Sequence, residues 1–410
     1  MRFDIIRDPL WNNIRIDSVA LRLVDTPVFQ RLRYVRQLGL AHLVYPGATH
    51  SRFEHAVGTY HLARRTIAML SERGDIDHLQ DDIRIIAPAA LLHDLGHYPF
   101  SHALEEIGAL HHEDVAGPLI TSGTIAGILR SELGPDVPER VHALVRGASE
   151  SPLQGLISGS LDLDKIEYLK RDALMCGVPY GEIDVDRLTN SMVVVEDPSD
   201  RKLKIGVQEK ALSALESLLF AKYQMYRNVY WHHAVRSATS MYKRLVGDSL
   251  RSGSLQGGEL SAMTDEGLLH KLEASENGLL AALRERRLYK RALEIPSNDI
   301  PDGQGEWIAE DYERVVGSED ELADTLGVAR GTVLLDYPAK TQMLGLDILV
   351  VRKNGDVQRL TESGWPGTVN LPSLSEQLYR STRWLRVFTQ DRIKGSKTLQ
   401  EAVERIAFRA

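Results

Sequence analysis

The chain has 410 residues, of which 43% are hydrophobic and 26% charged, and its formal net charge is -8. This balance is typical of a globular protein with a large apolar core, and the negative net charge argues against nucleic acid as a partner. The single cysteine, Cys176, excludes an intramolecular disulfide. A charged N-terminus and only short apolar runs lead us to expect no signal peptide, no membrane span and a cytoplasmic location.

Most of the first 250 residues are predicted to be helical, because apolar side chains recur at helical spacing. The predicted helices, in chain order, begin at Thr26-Pro27 and continue past Leu38, run from the capping box Ser51–Glu54 to Leu70, from Ile83 to Leu95, from Leu161 to Met175 and from Glu209 to Val246. Pro88 predicts that the third of these either starts or kinks near it. Alternation over Met192–Glu196 and Lys202–Val207 predicts a small β-hairpin.

The rest of the chain has a different pattern. Two loop-like segments, Ser252–Gly258 and Ser297–Gly305, bracket a helical segment. Beyond about residue 330, strands are predicted at Thr332–Asp336 and Leu346–Val351, a hairpin turn at Asn354-Gly355 and a helix from Pro372 to about Phe388. We therefore expect a mainly α fold with a helical core over 1–250, a helical extension over 251–330 and a small α/β subdomain over 331–410.

The densest group of potentially functional side chains lies between His93 and His102. An adjacent His93-Asp94 pair at a helix end can supply one nitrogen and one oxygen ligand to a metal ion. A capped helix end would explain Asp94 and Gly96, but it would not explain the further histidines beside a Pro-Phe-Ser turn. The pattern therefore favours a metal site.

Two other segments carry candidate partners for this site. His55 falls in the first turn of its predicted helix, directly after Arg52-Phe53-Glu54. Asp164, Tyr168 and Asp172 recur at every fourth position and so share one face of theirs. Such a run is usually a solvated face, but the tyrosine and the leucines nearby favour the wall of a polar groove.

The order of these motifs resembles the HD phosphohydrolase superfamily, and within it the deoxynucleoside triphosphate triphosphohydrolase branch. The resemblance rests on Arg-Phe-Glu-His, His-Asp-Leu-Gly-His-x-Pro-Phe-Ser-His, His-Glu and Asp-x-Asp-Lys-x-x-Tyr-x-x-x-Asp, with Asp25–Gly39 and Tyr45–His55 extending it. It is clear over residues 8–115 and 158–235 and thin beyond 250. It implies that 1–250 is an HD-domain helical catalytic core.

By this resemblance one divalent metal ion is bound by two imidazoles and two carboxylates, those of His55, His93, Asp94 and Asp164. This ligand set suits Mn, Fe, Co, Zn or Mg. The metal would lower the pKa of a bound water and polarise the phosphate.

The resemblance also implies roles for neighbouring side chains. His102 would protonate the leaving oxygen, with His112 as a second candidate, Glu105 as an orienting carboxylate and Arg52 as a catalytic cation. The residues implied for substrate binding are Gln37, Leu38, Arg52, His97, Lys165, Tyr168, Asp172 and Tyr230. His111 and His50 are interpreted as an exposed neighbour and a loop residue.

The activity implied is hydrolysis of a dNTP to a deoxynucleoside and inorganic triphosphate. Two alternatives remain: an HD phosphohydrolase acting on another nucleotide phosphate ester, and a nucleotide-sensing regulatory protein with weak catalysis. Asp25, Gln30 and Arg33 match the residues that bind a guanine-nucleotide activator in the resembling branch. The residues that follow Asp8-Pro9 depart from that branch's His-Gly element. Relatives of this kind lead us to expect a homo-oligomer, either a tetramer or a dimer.

Overall fold

The computed structural model describes residues 3–273, 278–339, 347–360, 365–366, 368–393 and 397–408. Helices dominate this part of the chain, and the strands form small sheets. The predicted mainly α fold is confirmed. Among the described residues, none of the helices combines the length and the apolar character needed to cross a bilayer.

The first part of the chain is an N-terminal β-hairpin followed mainly by helices. The hairpin strands are β1 (Asp4–Asp8) and β2 (Asn12–Ile16), and the helices are α1 (Ser18–Val24), α2 (Pro27–Gln30), α3 (Arg52–Glu72), α4 (Gln80–Leu92), α5 (His112–Thr121), α6 (Gly123–Glu132), α7 (Val137–Val145), α8 (Leu163–Cys176) and α9 (Val185–Asn190). Strands β3 (Met192–Glu196) and β4 (Leu203–Gln208) come next, and then α10 (Leu212–Met225) and α11 (His233–Arg251).

The second part mixes helices and strands. Its elements are α12 (Asp265–Leu272), α13 (Gly278–Arg284), β5 (Lys290–Pro296), α14 (Trp307–Glu310), α15 (Tyr312–Leu326), β6 (Val333–Asp336), β7 (Leu349–Val351), β8 (Val357–Arg359), α16 (Leu371–Thr382), β9 (Trp384–Thr389) and α17 (Lys397–Ala407).

Two of the sheets join segments that are far apart in sequence. The predicted hairpin β3–β4 is present, and β7 adds to β4 in parallel, which gives the order β3-β4-β7-β8. Strand β9 lies between β5 and β6 and pairs antiparallel with both. The sheet of β3, β4, β7 and β8 crosses both boundaries expected near residues 250 and 330, and the sheet of β5, β9 and β6 crosses the second of them. The division into three parts stays a prediction.

The longest helix of the core, α3, begins where its capping box predicts. The Ser51 side chain accepts from the backbone N–H of the third helical residue, and the Glu54 carboxylate accepts from the backbone N–H of Ser51. Helix α3 packs against α4 and α8, and most of its side chains up to Leu70 are buried. Since α3 and α8 each carry a predicted metal ligand in their first turn, this packing brings the two ligands together.

Several predicted helices are wrong in extent. The helix expected to continue from Thr26 past Leu38 is instead α2 followed by 3-10 turns at Arg31–Tyr34 and Gly39–Leu43. Helix α4 runs through Pro88 from Gln80, so the proline does not start it. The helix expected over Glu209–Val246 is broken by a π-helical turn, Tyr226–Tyr230, and by Trp231-His232.

The C-terminal prediction is partly wrong as well. The helix expected to reach Phe388 ends at Thr382, and the chain continues as β9. The strand expected from Leu346 begins at Leu349, and Leu346 itself lies outside the described residues. The turn at Asn354-Gly355 connects β7 and β8, and Gly355 has a φ of 92°, which only glycine adopts readily.

Candidate metal centre and active site

Three helix ends converge on one buried point. His55 lies in the first turn of α3, His93 and Asp94 follow the last turn of α4, and Asp164 lies in the first turn of α8. His55 Nε2 is 3.2 Å from His93 Nε2, 2.8 Å from Asp164 Oδ1 and 3.5 Å from Asp94 Oδ2. The structure therefore brings together all four side chains that the sequence predicts as metal ligands.

The two histidines are oriented so that both present the same nitrogen to this point. His55 Nδ1 is 2.7 Å from Glu167 Oε2, and His93 Nδ1 is 2.8 Å from the Ala90 carbonyl. Both partners accept hydrogen bonds, so Nδ1 carries the proton and the Nε2 lone pairs face each other. Opposed lone pairs require a proton or a cation between them, and this donor set therefore fits one divalent metal.

The electrostatics of the cluster agree with this interpretation. Burial alone would lower the pKa of His55, but hydrogen bonds with Asp164 and Glu167 reverse the effect and raise it to about 10. Burial would raise the pKa of Asp164, yet His55 and His93 hold it well below its usual range. The carboxylates thus favour a positive charge beside His55, as a cation site requires.

A buried ionic network lies behind His55, and the sequence analysis missed it. Glu167 also accepts from Arg171 Nε at 2.8 Å and from Trp11 Nε1 at 2.9 Å. Arg171 in turn donates to Asp8 Oδ2 at 3.0 Å. Asp8 and Trp11 are far from α8 in sequence, so no local pattern predicts their contacts with Glu167 and Arg171. The spacing of Glu167 and Arg171, one helical turn apart, could have been noticed in the sequence.

A second cluster holds the predicted proton donors. His97, His102, Glu105 and His112 each offer one ligand-type atom, and these atoms lie within 4.8 Å of one another. Glu105 Oε1 is 2.9 Å from His112 Nδ1, and its Oε2 is 3.4 Å from His102 Nδ1. His97 Nε2 is 3.0 Å from Asp94 Oδ1, which connects this cluster to the metal ligands.

Gly96 allows α5, and with it His112, to pack against the end of α4 beside this second cluster. A Cβ at residue 96 would lie 2.0 Å from the His112 carbonyl oxygen and 2.6 Å from the backbone nitrogen of Ala116. Only a residue without a side chain permits α5 to approach the end of α4 so closely. Burial lowers the pKa of His112, and its hydrogen bond with Glu105 opposes that shift.

A large cavity of about 710 Å³ opens beside both clusters. Its lining includes every residue predicted to bind substrate: Gln37, Leu38, Arg52, His97, Lys165, Tyr168, Asp172 and Tyr230. Tyr230 donates to Asp172 Oδ2 at 2.7 Å, and His50 Nε2 is 2.8 Å from Asp172 Oδ1. His50 is thus a buried hydrogen-bonding partner of Asp172. The sequence analysis, which interpreted His50 as a loop residue, did not predict this contact.

Basic side chains occupy the wall nearest the metal ligands. Arg52 is buried and donates to Asp94 Oδ2 at 2.7 Å and to Ser101 Oγ at 3.2 Å. Lys165 pairs with Asp162 and donates to the Gly159 carbonyl at 2.9 Å. Lys222, which the sequence analysis did not single out, does not line the cavity; it is buried, and burial and the nearby charge of Lys165 lower its pKa to about 7.

The turn after His97 has an unusual backbone conformation. Phe100 and Ser101 both have positive φ, 58° and 63°, at a cost on the order of 1–3 kcal/mol each. Asp265 of α12 holds this turn by accepting from the Phe100 N–H at 2.8 Å and the Arg36 N–H at 3.0 Å. The conformation brings Ser101 Oγ within hydrogen-bonding distance of Arg52.

The residues predicted to bind an activator lie elsewhere. Asp25 and Arg33 are exposed, and neither lines the cavity. Arg33 Nε donates to Gln30 Oε1 at 2.7 Å, and its guanidinium lies 3.5 Å from the centre of the Phe53 ring. Gln30 also donates to the Val24 carbonyl at 2.8 Å. Arg33 and Gln30 thus contact each other outside the cavity, and their role in binding an activator stays a prediction.

Comparison with known families identifies the class. Residues 52–161 match the HD domain and residues 183–369 match the HD-associated region. An uncharacterised protein of Methanocaldococcus jannaschii is 31% identical over 406 residues, which is 97% of this chain and 84% of that protein. The chain therefore belongs to the HD-domain phosphohydrolase superfamily.

Two similar proteins have names that state an activity. The human deoxynucleoside triphosphate triphosphohydrolase SAMHD1 is 26% identical over 399 residues, or 84% of this chain and 62% of that enzyme. Its Dictyostelium discoideum homologue is 28% identical over 338 residues, or 76% and 64%. The match thus spans less than two thirds of each of these enzymes.

Solved structures support the fold. A hypothetical protein from Aquifex aeolicus superimposes with a TM-score of 0.73 at 28% identity, over 95% of this chain and 97% of that one. A phosphohydrolase from Bacteroides thetaiotaomicron, at 22% identity, gives the same TM-score over 95% of this chain and 100% of that one.

Proposed function

We propose that this protein hydrolyses deoxynucleoside triphosphates to deoxynucleoside and inorganic triphosphate with one divalent metal ion. The observation that carries the proposal is the direct adjacency of the His55–His93–Asp94–Asp164 cluster to a cavity lined by Tyr168, Asp172 and Tyr230. A metal at that cluster would supply Lewis acidity beside a bound phosphate.

Positive side chains of this chain would bind the phosphates. Arg52 lies between the cluster and the cavity, where it can neutralise charge that develops on the α-phosphate. Lys165 lines the same wall and can contact the outer phosphates once it leaves Asp162. His97, which is held by Asp94, adds a hydrogen-bonding group next to Arg52.

The leaving 5′-oxygen needs a proton, and the Glu105 cluster can provide it. Glu105 contacts both His102 and His112, and burial of this carboxylate would raise its pKa, yet the two histidines hold the pKa well below its usual range. An ionised Glu105 can accept from both imidazoles and so orients them. His102 is the more exposed of the two and is our proposed proton donor, with His112 as its relay.

The nucleoside would lie against Tyr230. Because Asp172 is held at both oxygens by Tyr230 and His50, its carboxylate is fixed at the cavity wall. We assign Asp172 and Gln37 to the 3′-hydroxyl. The Oε1 atom of Gln37 is buried and has no hydrogen-bond partner among the described residues. A ligand hydroxyl would satisfy it.

A substrate panel tests the proposal. Metal-depleted protein reloaded with Mn²⁺ is incubated with dNTPs, NTPs, nucleoside monophosphates and cyclic nucleotides, and the products are analysed for inorganic triphosphate. Release of triphosphate from dNTPs supports the proposal. Cleavage of another ester alone favours the broader phosphohydrolase alternative, and nucleotide binding without turnover favours a sensor.

The proposal includes a guanine-nucleotide activator at Asp25, Gln30 and Arg33, and a homo-oligomer, tetramer or dimer. A carboxylate can accept from guanine N1 and N2, and an arginine can donate to O6 and N7. The expected cytoplasmic location belongs to this proposal as well. The test is dATP hydrolysis with and without GTP, together with oligomer size, in wild type and Arg33→Ala. An unchanged rate and an unchanged size would remove the activator from the proposal.

A further inference from the structure

The cluster of His97, His102, Glu105 and His112 is separate from the predicted metal ligands. It comes from one stretch of chain: the turn after α4, the 3-10 helix Ser101–Ile107 and the first residue of α5. The His97 and His112 rings stack with centroids 3.8 Å apart, and the His102 ring meets His97 edge-on at 4.7 Å. Three imidazoles and one carboxylate are thus gathered around one point.

His97 has an atom that its protein surroundings leave unsatisfied. Its ring is 1% exposed, and Nε2 faces Asp94 Oδ1, so the proton lies on Nε2. Nδ1 is buried and has no hydrogen-bond partner among the described residues. A buried acceptor without a partner is destabilising, and a ligand with positive charge would satisfy it.

The other two imidazoles are also prepared for a ligand. Glu105 Oε1 is 2.9 Å from His112 Nδ1, and its Oε2 is 3.4 Å from His102 Nδ1. When these rings are neutral with the proton on Nε2, each Nδ1 lone pair faces a carboxylate oxygen, and a cation can take the place of the proton between them. Imidazole nitrogens together with one carboxylate form a donor set that zinc prefers, in a closed four-ligand arrangement.

We propose that His97, His102, Glu105 and His112 form a second transition-metal site, and that zinc bound there inhibits the enzyme. The inhibition rests on the proposed function, since an imidazole whose lone pair is bound to zinc can no longer transfer a proton to the leaving oxygen. Metal binding at the site does not depend on that function.

Metal stoichiometry tests the binding. Full-length protein is depleted with a chelator, titrated with Zn²⁺ and analysed for bound zinc. The wild type should take up a second zinc ion per chain beyond the one at the His55 centre. Glu105→Gln and His112→Asn should each lose only the second ion, and Asp164→Ala only the first. The exposed His270→Asn variant is the matched control and should keep both.

The neighbouring His111 makes this test sharper. His111, His112 and Glu113 also lie close enough together to share a metal. On our proposal, His111→Asn retains the second zinc. Loss of zinc in His111→Asn, uptake of only one ion by the wild type, or retention of both ions by folded Glu105→Gln and His112→Asn would each overturn the proposed site.

The effect of zinc on activity is measured with Mn²⁺-loaded protein and dGTP as substrate. Since a positioned acid contributes about 10²–10⁴-fold, saturating zinc should slow turnover by about 100-fold or more while the Mn²⁺ content stays constant. Zinc that fills the second site without slowing turnover would overturn the inhibition. If the protein cleaves no dNTP at all, the proposed function fails, and the stoichiometry still decides whether the second site exists.

Discussion

Glu167 and the predicted metal ligand His55 form a hydrogen bond of 2.7 Å between Oε2 and Nδ1, and neither side chain is exposed. The carboxylate fixes the tautomer in which the Nε2 lone pair faces the other predicted metal ligands, and it makes the imidazole a more basic metal ligand. Burial would raise the pKa of Glu167, but Arg171 and His55 outweigh it and lower the pKa to about 2. Glu167 is therefore ionised at neutral pH.

The first prediction follows from this contact. Glu167→Gln should weaken Mn²⁺ or Co²⁺ binding by about 10- to 100-fold, because a neutral amide no longer stabilises the required tautomer. Metal titration followed by spectroscopy measures the affinity, and a melting curve checks the fold. The exposed Glu182→Gln variant controls for the loss of one carboxylate charge elsewhere in the chain. Wild-type affinity in folded Glu167→Gln protein would contradict a positioning role.

The second prediction concerns the ligands themselves. His93→Ala or Asp94→Ala should remove both the bound transition metal and the activity and leave the helical content largely unchanged, since the apolar core does not depend on the ion. Metal analysis, circular dichroism and a hydrolysis assay on the same samples give the comparison. Full activity in metal-depleted Asp94→Ala protein would remove the basis for the metal site.

The third prediction concerns the sugar. If the Tyr230 ring packs under the ribose beside Leu38, a 2′-hydroxyl has no room, and dGTP should have a higher kcat/KM than GTP. Tyr230→Ala should reduce that preference, whereas Tyr230→Phe should keep it and lose only the hydrogen bond to Asp172. Equal values for dGTP and GTP in the wild type would be evidence against the proposed sugar contact.

The local parts of the site were predictable from sequence. Ser51 and Glu54 define where α3 begins, and that position fixes His55 in its first turn. The spacing of Asp164, Tyr168 and Asp172 on one helix places all three at the cavity. In each case the information lies within a few residues, because helix periodicity and capping are local effects.

The parts that the sequence did not reveal depend on distant contacts. Asp265 holds the turn at Phe100, and nothing near Asp265 marks it as more than a helix-start residue. Strand β9 lies between two others and is buried on both faces, so it lacks the alternation that would distinguish it from the end of a helix. The π turn at Tyr226–Tyr230, which aims Tyr230 at Asp172, carries no proline or glycine to signal a break.

The last prediction concerns Arg236, which joins Glu106 of the 3-10 helix Ser101–Ile107 to Asp336 of β6 through hydrogen bonds of 2.5–3.1 Å. Arg236→Met should lower the free energy of unfolding at pH 7 by about 3–5 kcal/mol, because it removes the hydrogen-bonded partner of the buried Asp336 carboxylate and one of the two cations that pair with Glu106. Burial would raise the pKa of Glu106, but Arg236 and Lys243 hold it well below its usual range. The stability from this pairing is therefore present above the unfolded pKa of about 4.5 and is lost as pH falls, so the difference in unfolding free energy between variant and wild type should shrink in acid.

Urea unfolding at a series of pH values measures this difference, with the exposed Arg330→Met as control. A difference that stays constant down to low pH would show that Arg236 acts through packing alone.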